Sequence, residues 1–224
     1  PTWYEDVAVV AISTEADTLI RLDHTQVVTS DYDGGTLTWE VPQGRWKLRR
    51  YVCTSTGETL RLASPSSHGL MMDHFSAEAQ DFNMRYILNR LQSELGDLTD
   101  RSLKYLYADS YEVRPPIWTP GLDSLFLERY GYDLYPYIEA TDSLTIQDQA
   151  TTKRFLYDLN KLLSDLIIAN HYALGVTIAE EYGLDFSAGA GGPGEPIFPG
   201  HKVPFEDVKA LGSLSAARGE FWNT

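Results

Sequence analysis

The sequence predicts an α/β protein, part of a (β/α)8 barrel carrying a β-rich, sandwich-like insertion near its N-terminus. Three observations carry that expectation. From Pro65 onward, long stretches of helical periodicity alternate with short apolar runs, the pattern of parallel βα units. Before that point, closely spaced runs rich in Thr, Val, Leu and aromatics are separated by turn signals at Asp33-Gly34-Gly35, Pro42-Gln43-Gly44 and Thr56-Gly57, as in antiparallel β-structure. Finally, about three or four βα units are too few to close a barrel, which takes ~250 residues by itself. The expected organisation is a barrel strand at 1–13, a β-rich insertion at 14–66 and an incomplete set of barrel βα units at 67–224.

In chain order, the run at 6–12, DVAVVAI, is apolar on both faces and reads as a buried strand. Strands are then expected at 18–20, 26–29, 36–41, 46–53 and 59–63. Trp39 and Trp46 straddle the Pro-Gln-Gly turn, placed to pack across strands. Ser76 is the N-cap expected for a helix over 77–95, with apolar residues at Phe82, Tyr86, Ile87 and Leu91. A helix over 122–130 should end at Gly131, in the C′ position that glycine favours. The helical region 147–182 carries Phe155, Leu159, Leu162, Leu163, Leu166 and Ile167 on one face and closes at Gly183. A strand at 184–188, a Gly/Pro-rich loop and a short helix at 205–211 precede the last stretch, 214–222.

The most informative segment is 104–118, KYLYADSYEVRPPIW. It opens as a short apolar strand and turns at once to Asp109, Ser110 and Glu112, followed by Pro115, Pro116 and Trp118. An apolar strand leading into carboxylates and an aromatic loop is how a barrel strand that carries chemistry ends. Pro115 and Pro116 block a helix directly after Glu112, which keeps that carboxylate in a loop. Asp109 and Ser110 are also of the types that cap turns and helices.

Composition narrows the function. The 224 residues hold 32 acidic against 18 basic side chains, a formal net charge of −14, and 43% are hydrophobic. Such a surface repels phosphate backbones, so nucleic acid is excluded as an expected partner. No apolar run approaches the ~20 residues of a membrane span. The lone Cys53 excludes an internal disulfide framework, and no His/Cys spacing suggests zinc. The chain begins with Pro and enters a strand almost immediately, which reads as an internal segment of a longer protein. Aromatics at 12%, with 14 Tyr and 5 Trp, suit sugar binding as well as core packing.

Carboxylates stand at several expected element ends: Asp73, Asp109, Glu112, Glu195 and Glu220. Glu220 sits in RGEFWNT beside Phe221 and Trp222, where aromatic flanks desolvate a carboxylate and raise its pKa. Two carboxylates facing one site meet the requirement of glycoside hydrolysis, one as acid and one as base or nucleophile. Asp73, with His68 and His74 on either side, reads as a cation or sugar ligand or as a turn residue. Trp118 reads as a sugar platform or as core, and Glu195 is the reserve carboxylate. The glycines at 189–194 lack the Lys-Ser/Thr that completes a phosphate loop.

Taken together in order, these segments resemble glycoside hydrolase family 106, the α-L-rhamnosidases. The resemblance runs through YEDVAVVAI at Tyr4, WEVPQGRWKLRR at Trp39, HGLMMDHFSAEA at His68 and YADSYE, with WTP at Trp118. It continues through ERYGYDLYPYI at Glu128, GLDFSAGAGGPGEP at Gly183 and RGEFWN at Arg218. It implies a (β/α)8 catalytic barrel interrupted by β-structure and extending beyond both ends of this chain. It also implies inverting exo-hydrolysis of rhamnose-containing glycans or glycosides, a calcium ion near the sugar and a periplasmic or extracellular setting. Carried over by motif, the two catalytic glutamates fall on Glu112, expected as general acid, and Glu220, expected as general base. Asp73, Asp109, Trp118 and Trp222 are the expected substrate-binding residues. The alternatives are another exo-glycosidase on the same barrel, β-galactosidase-like, or a catalytically silent carbohydrate-binding segment.

Overall fold

A computed structural model describes residues 3–13, 19–59, 63–99, 102–112, 117–191 and 203–219. The fold is mixed α/β, and the chain divides into two compact units, Pro1–Gly57 with Trp118–Leu159, and Glu58–Ile117 with Asn160–Thr224.

The first unit is built on strand β1 (Tyr4–Ser13), which lies between β3 (Thr25–Val27) and β4 (Trp46–Thr54), antiparallel to both. Of the run at 6–12, residues 8–12 are buried on both faces, while Asp6 is exposed. One face, Val9 and Ala11, packs with Val28, Tyr32, Leu37, Trp39 and Trp46. Trp39 and Trp46 meet edge to face at 5.4 Å, as the turn between them led one to expect. The other face, Ala8, Val10 and Ile12, is equally buried. On that side Arg49 and Tyr51, paired across the ladder with Val10 and Ala8, both reach Glu139 on a 3-10 helix, Tyr135–Asp142. Glu139 is nearly inaccessible, so its charge needs both the Arg49 ion pair and the Tyr51 hydroxyl.

A strand expected in the barrel is thus the centre of an antiparallel sheet. Strand β2 (Leu19–Ile20) pairs in parallel with β6 (Thr145–Ile146), and beside that pairing Leu22 N donates to Gln147 Oε1 at 3.3 Å. That pairing returns 118–159 to the N-terminal unit. Of the other expected strands, 36–41 contributes an isolated bridge, Tyr32 to Leu37, and 59–63 another, Thr59 to Leu70, with 60–62 outside the described residues. Helix α2 (Leu122–Tyr130) ends at Gly131 as expected, and its Phe126 packs on Tyr130, Tyr132 and Phe155.

The second unit holds a parallel sheet in the order β5-β7-β8, formed by Tyr105–Ala108, Asp185–Ala188 and Ala216–Ala217. Helix α1 (Ala77–Leu95) starts where Ser76 Oγ accepts from Ala79 N at 3.2 Å. Its packed face is Gln80, Met84 and Leu88; of the four apolar residues singled out in the sequence, Phe82, Tyr86 and Ile87 are exposed and Leu91 is half-buried. Burial of Met84 and Leu88 is worth roughly 1.5–3 kcal/mol each.

Helix α3 (Gln149–Ile167) continues through a π-helical turn, Ile168–Ala173, into α4 (Leu174–Glu181). Phe155, Leu159, Leu162, Leu163 and Ile167 are buried as the periodicity requires. By length and composition alone, 149–181 is apolar enough to cross a membrane, yet half of the relevant window is buried within the protein. Arg85 ties α1 to α4, donating to Asp81 at 2.7 Å and to both oxygens of Glu181 at 2.6 and 3.0 Å. Gly175 lets α4 approach β7 closely, since a Cβ there would stand 2.8 Å from the Phe186 ring. Helix α5 (Asp207–Gly212) leads into β8.

Candidate functional site

Because β5, β7 and β8 run in parallel, their C-terminal ends share one edge of the sheet, where side chains from several strands can meet. Beyond β5 come Asp109, Ser110, Tyr111 and Glu112; beyond β7 come Gly189, Ala190 and Gly191; beyond β8 comes Arg218. The Tyr107 hydroxyl donates to Asp109 Oδ1 at 3.2 Å, and Ser110 N donates to the same oxygen at 2.9 Å. Ser110 Oγ donates to Glu112 Oε1 at 2.9 Å. The Arg218 guanidinium lies 4.9 Å from the centre of the Tyr107 ring, linking the exit from β8 with the end of β5. Glu112 and Asp109 are exposed. Ala190 has φ 45°, a left-handed conformation strained for a residue with a Cβ, at the end of β7.

Beneath this edge lies a closed cycle of five rings. Tyr111 meets His74 edge-on at 5.3 Å and Phe205 at 5.6 Å. His171 touches His74 at 4.7 Å and Tyr172 at 4.8 Å, and Tyr172 meets Phe205 at 5.4 Å. Edge-to-face pairs of this kind are worth ~0.5–1.5 kcal/mol each beyond the area they bury. His171 lies in the π-helical turn, where its Nδ1 is 3.0 Å from Gln80 Oε1 and its carbonyl accepts from Gln80 Nε2 at 3.0 Å. The amide of Asn170, from the same turn, donates to the Phe75 carbonyl at 2.6 Å. The Tyr111 hydroxyl and His74 Nδ1 are buried with no hydrogen-bond partner among the described residues.

Both imidazoles are held neutral. Burial, with the adjacent His74 ring, pushes His171 down to about 3; burial also lowers His74, against an opposing pull from Asp73. In the unfolded chain both titrate near ~6.5. The unfolded state therefore takes up protons first, so this stability is complete above pH ~6.5 and is lost as the pH falls towards about 3. The urea midpoint of the intact protein should be clearly lower at pH 5 than at pH 7.5. Carboxylates held down by hydrogen bonds, such as Asp148, lose their contribution only below ~4, outside that window. A midpoint unchanged between the two pH values would show that the histidines are not neutral in the fold.

The other candidates are distributed as follows. Asp73 Oδ1 accepts from Phe75 N at 2.9 Å, the turn-residue geometry considered for it, and brings the same carboxylate close to Tyr111 electrostatically. Trp118 belongs to the first unit and stacks on Tyr135 at 6.2 Å, so one ring face is engaged in packing. Glu220, Trp222 and Glu195 lie outside the described residues. Among the described residues, no three His, Cys, Asp or Glu side chains converge as a metal site. Sequence reasoning missed Tyr111 and the His171–Gln80 pair. The Asp-Ser-Tyr-Glu alternation contained a signal for the first, but a π-helical turn leaves none.

Comparisons with known proteins identify the family of the chain. The chain belongs to glycoside hydrolase family 106, alpha-L-rhamnosidase, whose sequence profile matches residues 1–201. It is similar to a solved rhamnosidase from Novosphingobium sp. PP1Y, with a TM-score of 0.74 and 26% identity over 90% of this chain. It is also 31% identical, over 191 residues and 85% of its length, to a protein of Formosa agariphila named "Putative beta-glucuronidase". The chain spans 19% of the former and 16% of the latter.

Proposed function

We propose that the full-length protein is an inverting, exo-acting α-L-rhamnosidase that releases rhamnose from glycans or glycosides outside the cytoplasm. The observation that supports this reading is the parallel sheet, in which the chain leaves β5 towards Glu112 and β8 towards Arg218 at the same edge. In this reading the three strands belong to a (β/α)8 barrel completed by the rest of the polypeptide. Glu112, oriented by Ser110, gives its proton to the glycosidic oxygen as the bond to the anomeric carbon breaks. Glu220 takes a proton from the water that attacks the opposite face. Room for that water sets the carboxyl groups ~6.5–9.5 Å apart. Asp109, fixed by Tyr107 and the Ser110 amide, faces the sugar hydroxyls.

The test is hydrolysis by the full-length protein of an aryl α-L-rhamnoside and an aryl β-D-glucuronide, with NMR of the first-formed sugar. Release of β-L-rhamnose is expected. The name of the Formosa relative makes the glucuronide the specific competitor, and turnover of it alone would replace rhamnose by a uronic acid. Release of α-L-rhamnose would mean retention and abolish the base role of Glu220. Calcium is part of the same proposal. Chelation should lower turnover at least ~10-fold, and calcium rather than zinc should restore it. Undiminished turnover after verified metal removal would eliminate calcium from the reaction.

A further inference from the structure

We propose that Tyr111 is a positioning residue for Glu112, acting through its ring and not through its hydroxyl; the inference rests on Glu112 being the acid. Side chains alternate along an extended segment. Tyr111 is 5% exposed, while Glu112 next to it is turned outward. Fixing the one ring therefore fixes the direction of the other side chain. Tyr111 is fixed twice over. Its N–H donates to the Ala190 carbonyl at 2.7 Å, carrying the β5–β7 ladder past the point where Gly189 N bonds Ala108 O at 3.2 Å. Its ring is gripped edge-on by His74 and Phe205, members of the closed five-ring cycle.

That cycle is itself anchored from two elements. Gln80 on α1 is buried and bonded to both the ring and the carbonyl of His171, and Asn170 holds the Phe75 carbonyl just ahead of α1. The π-helical turn that presents Asn170 and His171 thus supports the floor under Glu112, and π-bulges recur at functional sites for such reasons. By contrast the Tyr111 hydroxyl has no hydrogen-bond partner among the described residues, so its removal breaks no described bond. A ring without a hydroxyl should do the same work.

The experiment compares Tyr111→Leu, Tyr111→Phe and Glu112→Gln in the full-length enzyme. Each is assayed on an alkyl rhamnoside, whose leaving group needs a proton, and on an aryl rhamnoside with an acidic leaving group. Tyr111→Leu is expected to lower kcat by ~20-fold or more on the alkyl substrate, to lower it by under ~3-fold on the aryl one, and to leave KM nearly unchanged. Tyr111→Phe should restore activity to within ~2-fold of wild type. Uniform losses on both substrates, or a large loss in Tyr111→Phe, overturn the positioning role. If Tyr111→Leu does not fold, His74→Leu removes the ring contact from the other side and should show a smaller loss with the same leaving-group dependence. Wild-type behaviour there overturns the proposal. If Glu112→Gln shows no leaving-group dependence, the acid assignment itself falls, an outcome distinct from the loss of the positioning role alone.

Discussion

Glu112→Gln in the full-length enzyme is expected to lower kcat on an unactivated α-L-rhamnoside by ~10²–10⁴-fold, the usual worth of a positioned general acid. The amide keeps the size and hydrogen-bonding reach of the carboxyl group, so Ser110 Oγ retains an acceptor in place of Glu112 Oε1. Sugar binding should therefore be largely preserved, and the loss should fall almost entirely on kcat. An aryl rhamnoside whose leaving group departs without protonation should lose far less. The pH–rate profile adds an independent check, because the limb that reports a required proton donor should vanish in the variant. Equal losses on the two substrates would remove Glu112 from the role of acid. Bound sugar without turnover in the wild-type full-length protein would instead favour a carbohydrate-binding role.

Glu220→Gln should produce the opposite substrate signature. A general base activates the water in either reaction, whatever the leaving group, so losses of ~10²–10⁴-fold are expected on alkyl and aryl rhamnosides alike. The acidic limb of the pH profile, which reports deprotonation of the base, should disappear. A variant that lost activity only on the alkyl substrate would exchange the roles of the two glutamates. Crystals of the full-length enzyme with Glu112 and Glu220 on opposite faces of the sheet would end the pairing.

Local signals in this chain were legible because their causes are local. Ser76 caps α1 and Gly131 ends α2, since capping depends on a few neighbouring backbone groups. The YLYA run is a strand, and Asp109 to Glu112 follow it at the C-terminal edge of a parallel sheet. The apolar face of α3 packs as its period requires. The family, too, was readable from ordered motifs spread along the chain.

What periodicity could not convey is which partner an apolar surface meets. DVAVVAI specifies a strand buried on both faces, but its composition is the same whether its neighbours run parallel or antiparallel, and tertiary pairing made it the centre of an antiparallel sheet. In α1 a run containing Phe82, Tyr86 and Ile87 reads as a core stripe. Packing instead buries the face of Gln80, because its amide satisfies the His171 ring and carbonyl from a helix some ninety residues later. The link between 19–20 and 145–146 likewise joins a segment expected as a strand to one in which no strand was expected. The sequence by itself therefore determined the family, the helices and strands with local caps and periods, and the placing of Asp109 and Glu112 just past β5. The tertiary structure alone decided strand partners, the boundary between units and the ring cycle under Glu112, since these rest on contacts between residues far apart in the chain.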